Sequence, residues 1–124
     1  MIGFKMDYLS LEKFLLAFPG SEKDFPFDAK TAVFKVHGKM FALAGIDNHP
    51  LSVNLKCDPE DALILRSQFD AIKPGYHMNK DHWNTVVIDG SLDRGLVHKL
   101  ICDSYRLVVK KLSKTIQEQL KDYS

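Results

Sequence analysis

The chain has 124 residues, of which 45% are hydrophobic and 27% charged, and these proportions are typical of one compact globular domain covering residues 1–124. Its longest purely apolar run, Phe14 to Phe18, is far shorter than the roughly 18 residues of a membrane-spanning helix. Seventeen Lys and Arg against sixteen Asp and Glu give a net charge of +1, so only a local basic patch could attract nucleic acid. We therefore expect a soluble, monomeric protein with no membrane partner.

The chain begins with a helix. Ser10 is its expected N-cap, because the apolar residues that follow recur at helical spacing until Pro19 and Gly20 end the pattern. Residues 21–30 then include Pro26, which has no N–H to give to a neighbouring strand. This segment is expected to be an edge strand or an anchored loop, and we interpret it as a packed connector.

Three strands follow the connector. Gly38 separates two β-rich runs and permits a tight hairpin turn between them. The third run alternates strictly, so that it has one apolar and one polar face. The expected strands are residues 31–37, 39–44 and 51–56. Lys35 and His37 also oppose the apolar set of their strand, which predicts a sheet covered on one side only.

A second helix is predicted from the N-cap Asp58 and the N1 residue Pro59 to about Phe69. Its apolar stripe consists of Ala62, Leu65 and Phe69, widened by Leu63 and Ile64.

Two short strands around a loop come next, the second of them over residues 85–88. Ser91 or Asp93 then caps a long helix that covers the sheet, and residues 117–124 are expected to fray or to form a loosely docked last turn. The order α-β(3)-α-β(2)-α, with short turns between consecutive strands, predicts an α+β two-layer sandwich with an antiparallel sheet.

Residues 74–85 are the most unusual stretch, because they combine two histidines, two asparagines and the only tryptophan. Aromatic rings offer stacking surfaces for nucleic-acid bases, amides offer hydrogen bonds, and lysines offer phosphate contacts. The candidate nucleic-acid-binding residues lie here and on the polar sheet face: Lys35, Lys39, Asn54, Lys56, His77, Asn79, Lys80, His82 and Asn84. Trp83 and Tyr76 are expected to be structural, with Trp83 mostly buried where the loop enters the strand.

Other chemistries find little support in the sequence. His77 and His82 are five positions apart, rather than the four that place two ligands on one helical face, and Lys80 between them would repel a cation. No nucleophile elbow, phosphate-binding glycine loop or zinc-protease motif is present. We therefore expect a protein that is not an enzyme and has no metal or cofactor.

Several segments together closely resemble the MmcQ/YjbR family of small bacterial proteins, and the similarity covers nearly the whole chain. They are VFKVHGKMFAL (33–43), LKCDPE (55–60), PGYHMNK (74–80), HWNT (82–85), SY (104–105) and VV (108–109). The resemblance implies a cytoplasmic protein with a layout similar to that of frataxin and of secretion chaperones. It also implies a DNA-binding accessory or regulatory role through a double-wing arrangement of hairpins. The alternative is a small-ligand or protein-interaction module whose pocket is formed by Tyr76, His77, Asn79, His82 and Trp83.

Overall fold

The computed structural model describes residues 4–121 of the protein as four helices and six strands. The helices are α1 (Tyr8–Leu16), α2 (Pro59–Gln68), α3 (Arg94–Lys110) and α4 (Lys114–Lys121). The strands are β1 (Ser21–Asp24), β2 (Thr31–Val36), β3 (Lys39–Gly45), β4 (Leu51–Lys56), β5 (Ile72–Pro74) and β6 (Trp83–Ile88).

All six strands form one antiparallel sheet in the order β1-β2-β3-β4-β6-β5. The predicted α+β fold is confirmed. The three strands predicted before α2 are β2, β3 and β4, to which β1 adds a fourth, and the two predicted after it are β5 and β6. The connector at residues 21–30 begins with a strand, because Ser21–Asp24 pairs with the outer edge of β2. Pro26 lies beyond this pairing, where its missing N–H costs no ladder hydrogen bond.

The helices cover one face of the sheet. Buried side chains of α1, α3 and α4 join those of the strands in one large apolar cluster, and Leu65 and Phe69 of α2 pack at its edge. The opposite face carries a much smaller cluster of Val33, Leu43 and Trp83, which contains no helical residue. We call these the covered face and the open face, and the expectation of a sheet covered on one side is confirmed.

Ser104 fastens α3 to the middle of the sheet. Its fully buried hydroxyl donates to the carbonyl of Phe41 at 2.5 Å and accepts the backbone N–H of Lys56 at 2.8 Å. One side chain thereby satisfies a buried carbonyl of β3 and a buried N–H of β4, which would otherwise lack partners.

The β2–β3 hairpin turns through two residues with positive φ, His37 at 49° and Gly38 at 75°. Val36 pairs directly with Lys39, so the loop has two residues and matches the type I′ geometry that right-twisted strands favour. The turn predicted at Gly38 is confirmed, and the strand register brings Lys39 to the same end of the sheet as the last residues of β4.

The helix caps agree with the sequence at two positions and differ at one. Asp58 caps α2 as expected, and Asp93 rather than Ser91 caps α3. The N-cap of α1 is Asp7, whose carboxylate accepts the N–H of Ser10 at 2.8 Å. Ser10 was the wrong prediction, because it already lies in the first turn that Asp7 caps.

Two helical expectations are corrected by packing. Leu63 and Ile64 do not widen the buried stripe of α2, since their side chains are 65% and 52% exposed. Only Ala62 is buried on that helix, because α2 lies at the β5 edge of the sheet and one side of it faces solvent. Residues 117–121 neither fray nor dock loosely: they belong to α4, where Leu120 is buried in the main core. The rest of that prediction, on residues 122–124, lies outside the described residues.

Candidate functional site

Three connections meet at one end of the sheet, which we call the hairpin end. The β2–β3 turn lies there, β4 finishes there with Lys56, and the loop of residues 75–82 returns there to begin β6. Lys56 pairs with Trp83 across the β4–β6 ladder, and the next N–H, of Cys57, donates to the carbonyl of His82 at 2.8 Å. The fold therefore places a hairpin tip and a long loop side by side.

Lys39, Lys56 and Lys111 form a lysine cluster at this end. They come from the start of β3, the end of β4 and the C-cap of α3. Burial lowers the pKa of Lys56, and the charges of Lys111 and Lys39 lower it further. Both interactions act on Lys56, so its ammonium group lies near that of Lys39 and near that of Lys111.

No carboxylate neutralises the lysine cluster within residues 4–121. The ion pairs of this part of the chain involve other cations, of which Lys35 is one, at 3.6 Å from Asp24. An uncompensated group of lysines attracts anions, and a phosphate oxygen is the anion that a lysine point charge binds readily.

Loop 75–82 folds back over the open face. Gly75 permits this close approach, because a Cβ at that position would lie 2.8 Å from both the Cβ and the carbonyl oxygen of Trp83. The N–H of Tyr76 donates to the hydroxyl of Thr85 at 3.0 Å, and Thr85 in turn donates to the amide oxygen of Asn54. The loop is thus held to the strands by side chains of the polar face.

The returning loop closes one side of a groove of about 690 Å³ on the open face. The opposite wall is formed by residues 27–31 and 45–48, and the floor includes Leu43 and Asn54. Lys30 lies 3.5 Å from Asp47, and the carboxylate of Asp28 accepts hydrogen bonds from the N–H groups of residues 30 and 31. The groove, which we call the open-face groove, therefore offers amides, hydroxyls and thioethers, and its charged side chains leave one net negative charge.

The two residues expected to be structural differ in their surroundings. Trp83 is 7% exposed and packs with Val33, Leu43 and Met78, which confirms its expected burial. Tyr76 is 70% exposed, so its ring does not support the core and only its backbone holds the loop. The structural role expected for the Tyr76 ring is therefore wrong, since that ring lines the open-face groove instead.

The predicted nucleic-acid-binding residues separate into groups. Lys39 and Lys56 belong to the lysine cluster, while Lys80 and His82 lie exposed on the adjacent loop. His77 and Asn79 line the open-face groove, together with Asn54. Lys35 is on the open face but is partly neutralised by Asp24.

Asn84 does not belong to an exposed surface. It is 2% exposed and pairs with Leu55, so it points to the covered face, where its amide oxygen accepts from Nε of Arg66 at 2.6 Å. Arg66 also donates to the carbonyls of Lys80 and Trp83. We correct the assignment of Asn84 because β6 begins at Trp83, two residues earlier than expected, and alternation along the strand then turns Asn84 inward.

Sequence reasoning missed Lys111 and Arg66. Lys111 has the sequence context of an ordinary solvated residue at the end of a helix, and nothing local indicates its proximity to Lys56. Arg66 is recognisable in the sequence only as a cation in the last turn of α2. Its three hydrogen-bond acceptors all lie at residues 80–84, far from it along the chain. Long-range pairing of this kind leaves no periodic signal in a sequence.

Within residues 4–121, no group of three or more His, Cys, Asp or Glu side chains is arranged to hold a metal ion. None of the helices in this range has the length and apolar character needed to cross a lipid bilayer.

The fold and the hairpin end place the protein in a class of small α+β proteins whose antiparallel sheet is covered by helices on one face only. The family model described as YjbR matches residues 16–107. The YbdF protein of Escherichia coli O157:H7 is 37% identical over 110 residues, which are 89% of this chain and 90% of that protein. The YjbR protein of Escherichia coli K12 is 37% identical over 108 residues, 86% of this chain and 91% of that protein.

Solved structures agree with these relatives. The crystal structure of the Deinococcus radiodurans protein DR2400, a DUF419 domain, superposes with a TM-score of 0.87 at 40% identity and covers 93% of this chain and 88% of that one. A Pseudomonas syringae protein gives a TM-score of 0.71 at 31% identity over 83% of this chain and 99% of its own. The chain belongs to the YjbR family, as its motifs indicated.

Proposed function

We propose that this protein is a DNA-binding accessory or regulatory protein that contacts the phosphate backbone through the hairpin end of its sheet. The lysine cluster carries the proposal, because Lys56 lies near both Lys39 and Lys111 and no ion pair within the described part of the chain neutralises any of the three. Bringing three like charges together is unfavourable in the free protein, and a polyanion relieves that repulsion when it binds.

The neighbouring connections give the surface its shape. The β2–β3 turn and loop 75–82 are two projections at one end of the sheet, which fits the double-wing arrangement implied by the family resemblance. His37 at the hairpin tip and Lys80 and His82 on the loop are exposed beside the cluster. These residues offer further hydrogen bonds to phosphate or sugar.

Weak binding with little sequence preference is expected. Base readout requires an element that enters a groove and presents several donors and acceptors, whereas the cluster consists of flexible point charges. Three phosphate contacts correspond to a slope of about −2.7 when the logarithm of the binding constant is plotted against that of the salt concentration.

Fluorescence anisotropy with labelled duplex and single-stranded DNA, starting at 50 mM salt, tests the proposal. Lys39→Gln/Lys111→Gln should weaken binding and reduce the slope by about 1.8, since about 0.9 is lost with each phosphate contact. The matched control is Lys5→Gln/Lys30→Gln, which removes the same charge at the opposite end of the sheet and should leave the slope unchanged. An equal effect of both pairs, or no binding at about 10⁻⁴ M protein, would contradict the proposal.

A second candidate function is supported by the open-face groove. Its volume of about 690 Å³ suits a small molecule or a short peptide, and Tyr76, His77 and Asn79 line it as the alternative interpretation requires. His82 and Trp83 do not belong to its lining. The variant Tyr76→Ala/His77→Ala separates the two functions. If its affinity for DNA is unchanged, the groove is not part of the DNA interface and is available for another ligand. If it loses more DNA affinity than Lys39→Gln/Lys111→Gln does, the DNA interface lies in the groove.

A further inference from the structure

A second concavity lies on the covered side, between α2, α3 and the adjoining strand residues of β4 and β6. We call it the helix cleft, and its volume is about 500 Å³. It is separate from the open-face groove, with which it shares no lining residue. Its size falls within the range of about 300 to 1,000 Å³ found for small-molecule sites.

The walls of the helix cleft are mainly apolar. Leu65 comes from α2, Val86 from β6, and Leu96 and Leu100 from α3. Val86 and Leu100 are buried, while Leu65 and Leu96 are half-buried and border the opening. An apolar wall that remains partly open to water gains when an apolar molecule covers it.

Asn84 supplies a polar group in this apolar lining. Its oxygen is engaged by Arg66 at 2.6 Å, which fixes the orientation of the amide. The opposite atom, Nδ2, is buried and has no hydrogen-bond acceptor among residues 4–121. Buried amide donors without partners are uncommon and unfavourable, so an acceptor that reaches Nδ2 from the cleft would be stabilised there.

The charges around the cleft favour an uncharged ligand over an ionic one. Four cations and three carboxylates line it, with Asp103 at 2.6 Å from Lys99 and 3.8 Å from Arg106, so the charged rim is nearly balanced. Burial, followed by the charges of the Asp61 and Asp58 carboxylates, raises the pKa of the Cys57 thiol to about 11. A site that keeps a thiol protonated also disfavours an anionic ligand beside it.

We propose that the helix cleft binds a small, uncharged, largely apolar molecule with one carbonyl oxygen, which accepts a hydrogen bond from Nδ2 of Asn84. The apolar body lies against Leu65, Leu96 and Leu100, and the carbonyl satisfies the donor that the protein leaves without a partner. This site is independent of the open-face groove and of phosphate binding, although Lys56 lines one edge of the cleft.

Two probes of nearly the same shape test the proposal: acetophenone, which has a carbonyl oxygen, and ethylbenzene, which has none. Each is titrated into ¹⁵N-labelled protein while the backbone amides and the Asn84 side-chain amide are followed by NMR. Acetophenone should bind with a Kd of about 1 mM and shift the Asn84 side-chain signal. A neutral hydrogen bond corresponds to a factor of roughly 2 to 12 in affinity, so ethylbenzene should bind more weakly by that factor.

The variant Asn84→Asp removes the donor and keeps an acceptor for Arg66. It should bind both probes with the same weak affinity, as reported by the amides of Val86 and Leu100. If this variant does not fold, Leu96→Trp provides the test: it fills the cleft from a half-buried position and should abolish binding. Met40→Trp is its matched control, since Met40 is half-buried and lines only the open-face groove.

Three results would overturn the proposal. One is equal affinity of the wild-type protein for acetophenone and ethylbenzene. Another is a set of perturbed amides confined to the open-face groove. The third is tighter binding of benzoate than of acetophenone, which would assign the cleft to anions. None of these measurements includes DNA, so a failure of the DNA-binding proposal would leave them unchanged.

Discussion

The two faces of the sheet differ in what their side chains do. On the covered face, residues of the strands and of all four helices form one continuous core that includes Phe34 and Phe41. On the open face, the buried cluster among the described residues consists of Val33, Leu43 and Trp83, and other side chains hold a loop in place or face solvent. The difference indicates that the covered face stabilises the fold, whereas the open face and the hairpin end present polar groups to solvent.

The largest effect is expected from Phe34→Ala on the covered face. Phe34 is fully buried among strand and helix residues, and removing a buried phenylalanine ring costs about 3 to 5 kcal/mol of unfolding free energy. Urea denaturation followed by circular dichroism measures this cost. A loss below 1 kcal/mol would mean that the covered face is not the main source of stability.

Trp83→Ala on the open face should cost about 3 kcal/mol, at the lower end of the range for large aromatic residues, because fewer side chains surround it. Removing the indole should also loosen loop 75–82, which lies above it. Hydrogen exchange at residues 75–79 distinguishes this local loosening from a general loss of stability. Its rate should rise far more in Trp83→Ala than in Phe34→Ala. A Trp83→Ala protein that keeps its melting temperature but loses affinity for DNA would show that the tryptophan is a binding residue.

Ser104→Ala should cost about 2 kcal/mol, because the change leaves the carbonyl of Phe41 and the N–H of Lys56 without a partner. The exposed Thr115 on α4 offers a matched control, and Thr115→Ala should change the unfolding free energy by less than about 0.5 kcal/mol. Equal effects of the two variants would mean that water replaces the Ser104 hydroxyl and that the attachment of α3 to the sheet is weaker than its geometry suggests.

Stability should fall with rising pH in a window set by Cys57. The pKa of this thiol is raised from 9.0 to about 11, so the folded protein holds the proton more tightly than the unfolded chain. The resulting stabilisation is fully present below pH 9 and is lost as the pH rises towards 11. Thermal melts between pH 8 and 10.5 should show a smaller decrease for Cys57→Ala than for the wild-type protein. Cys102→Ala serves as the control and should retain the wild-type slope; a wild-type slope in Cys57→Ala would contradict the assignment.

The smallest effects distinguish paired from clustered lysines. Lys99→Gln removes an exposed ion pair with Asp103 and should destabilise the protein by about 0.3 to 0.5 kcal/mol. Lys39→Gln removes repulsion from Lys56 and should stabilise it by about 0.3 kcal/mol, even as DNA binding weakens. Both differences should shrink at 0.5 M salt, as measured by chemical denaturation. Destabilisation by Lys39→Gln would mean that an unrecognised partner neutralises the cluster.

The sequence by itself determined the class of fold and the position of most elements. Strict alternation over residues 51–56 identified β4, and Asp58 and Asp93 marked the starts of α2 and α3. Gly38 marked the hairpin turn. These features depend on residues within about four positions of one another, so local periodicity and capping chemistry are sufficient to reveal them.

Only the tertiary structure decided which candidate residues share a surface. Lys111 lies near Lys56 because α3 packs across the sheet, and Asn84 turns inward because β6 starts at Trp83. α4 is a helix because Leu120 finds a place in the core, which its own short, polar sequence does not reveal. Contacts between distant segments are created by packing, and a single sequence contains no local pattern that specifies them.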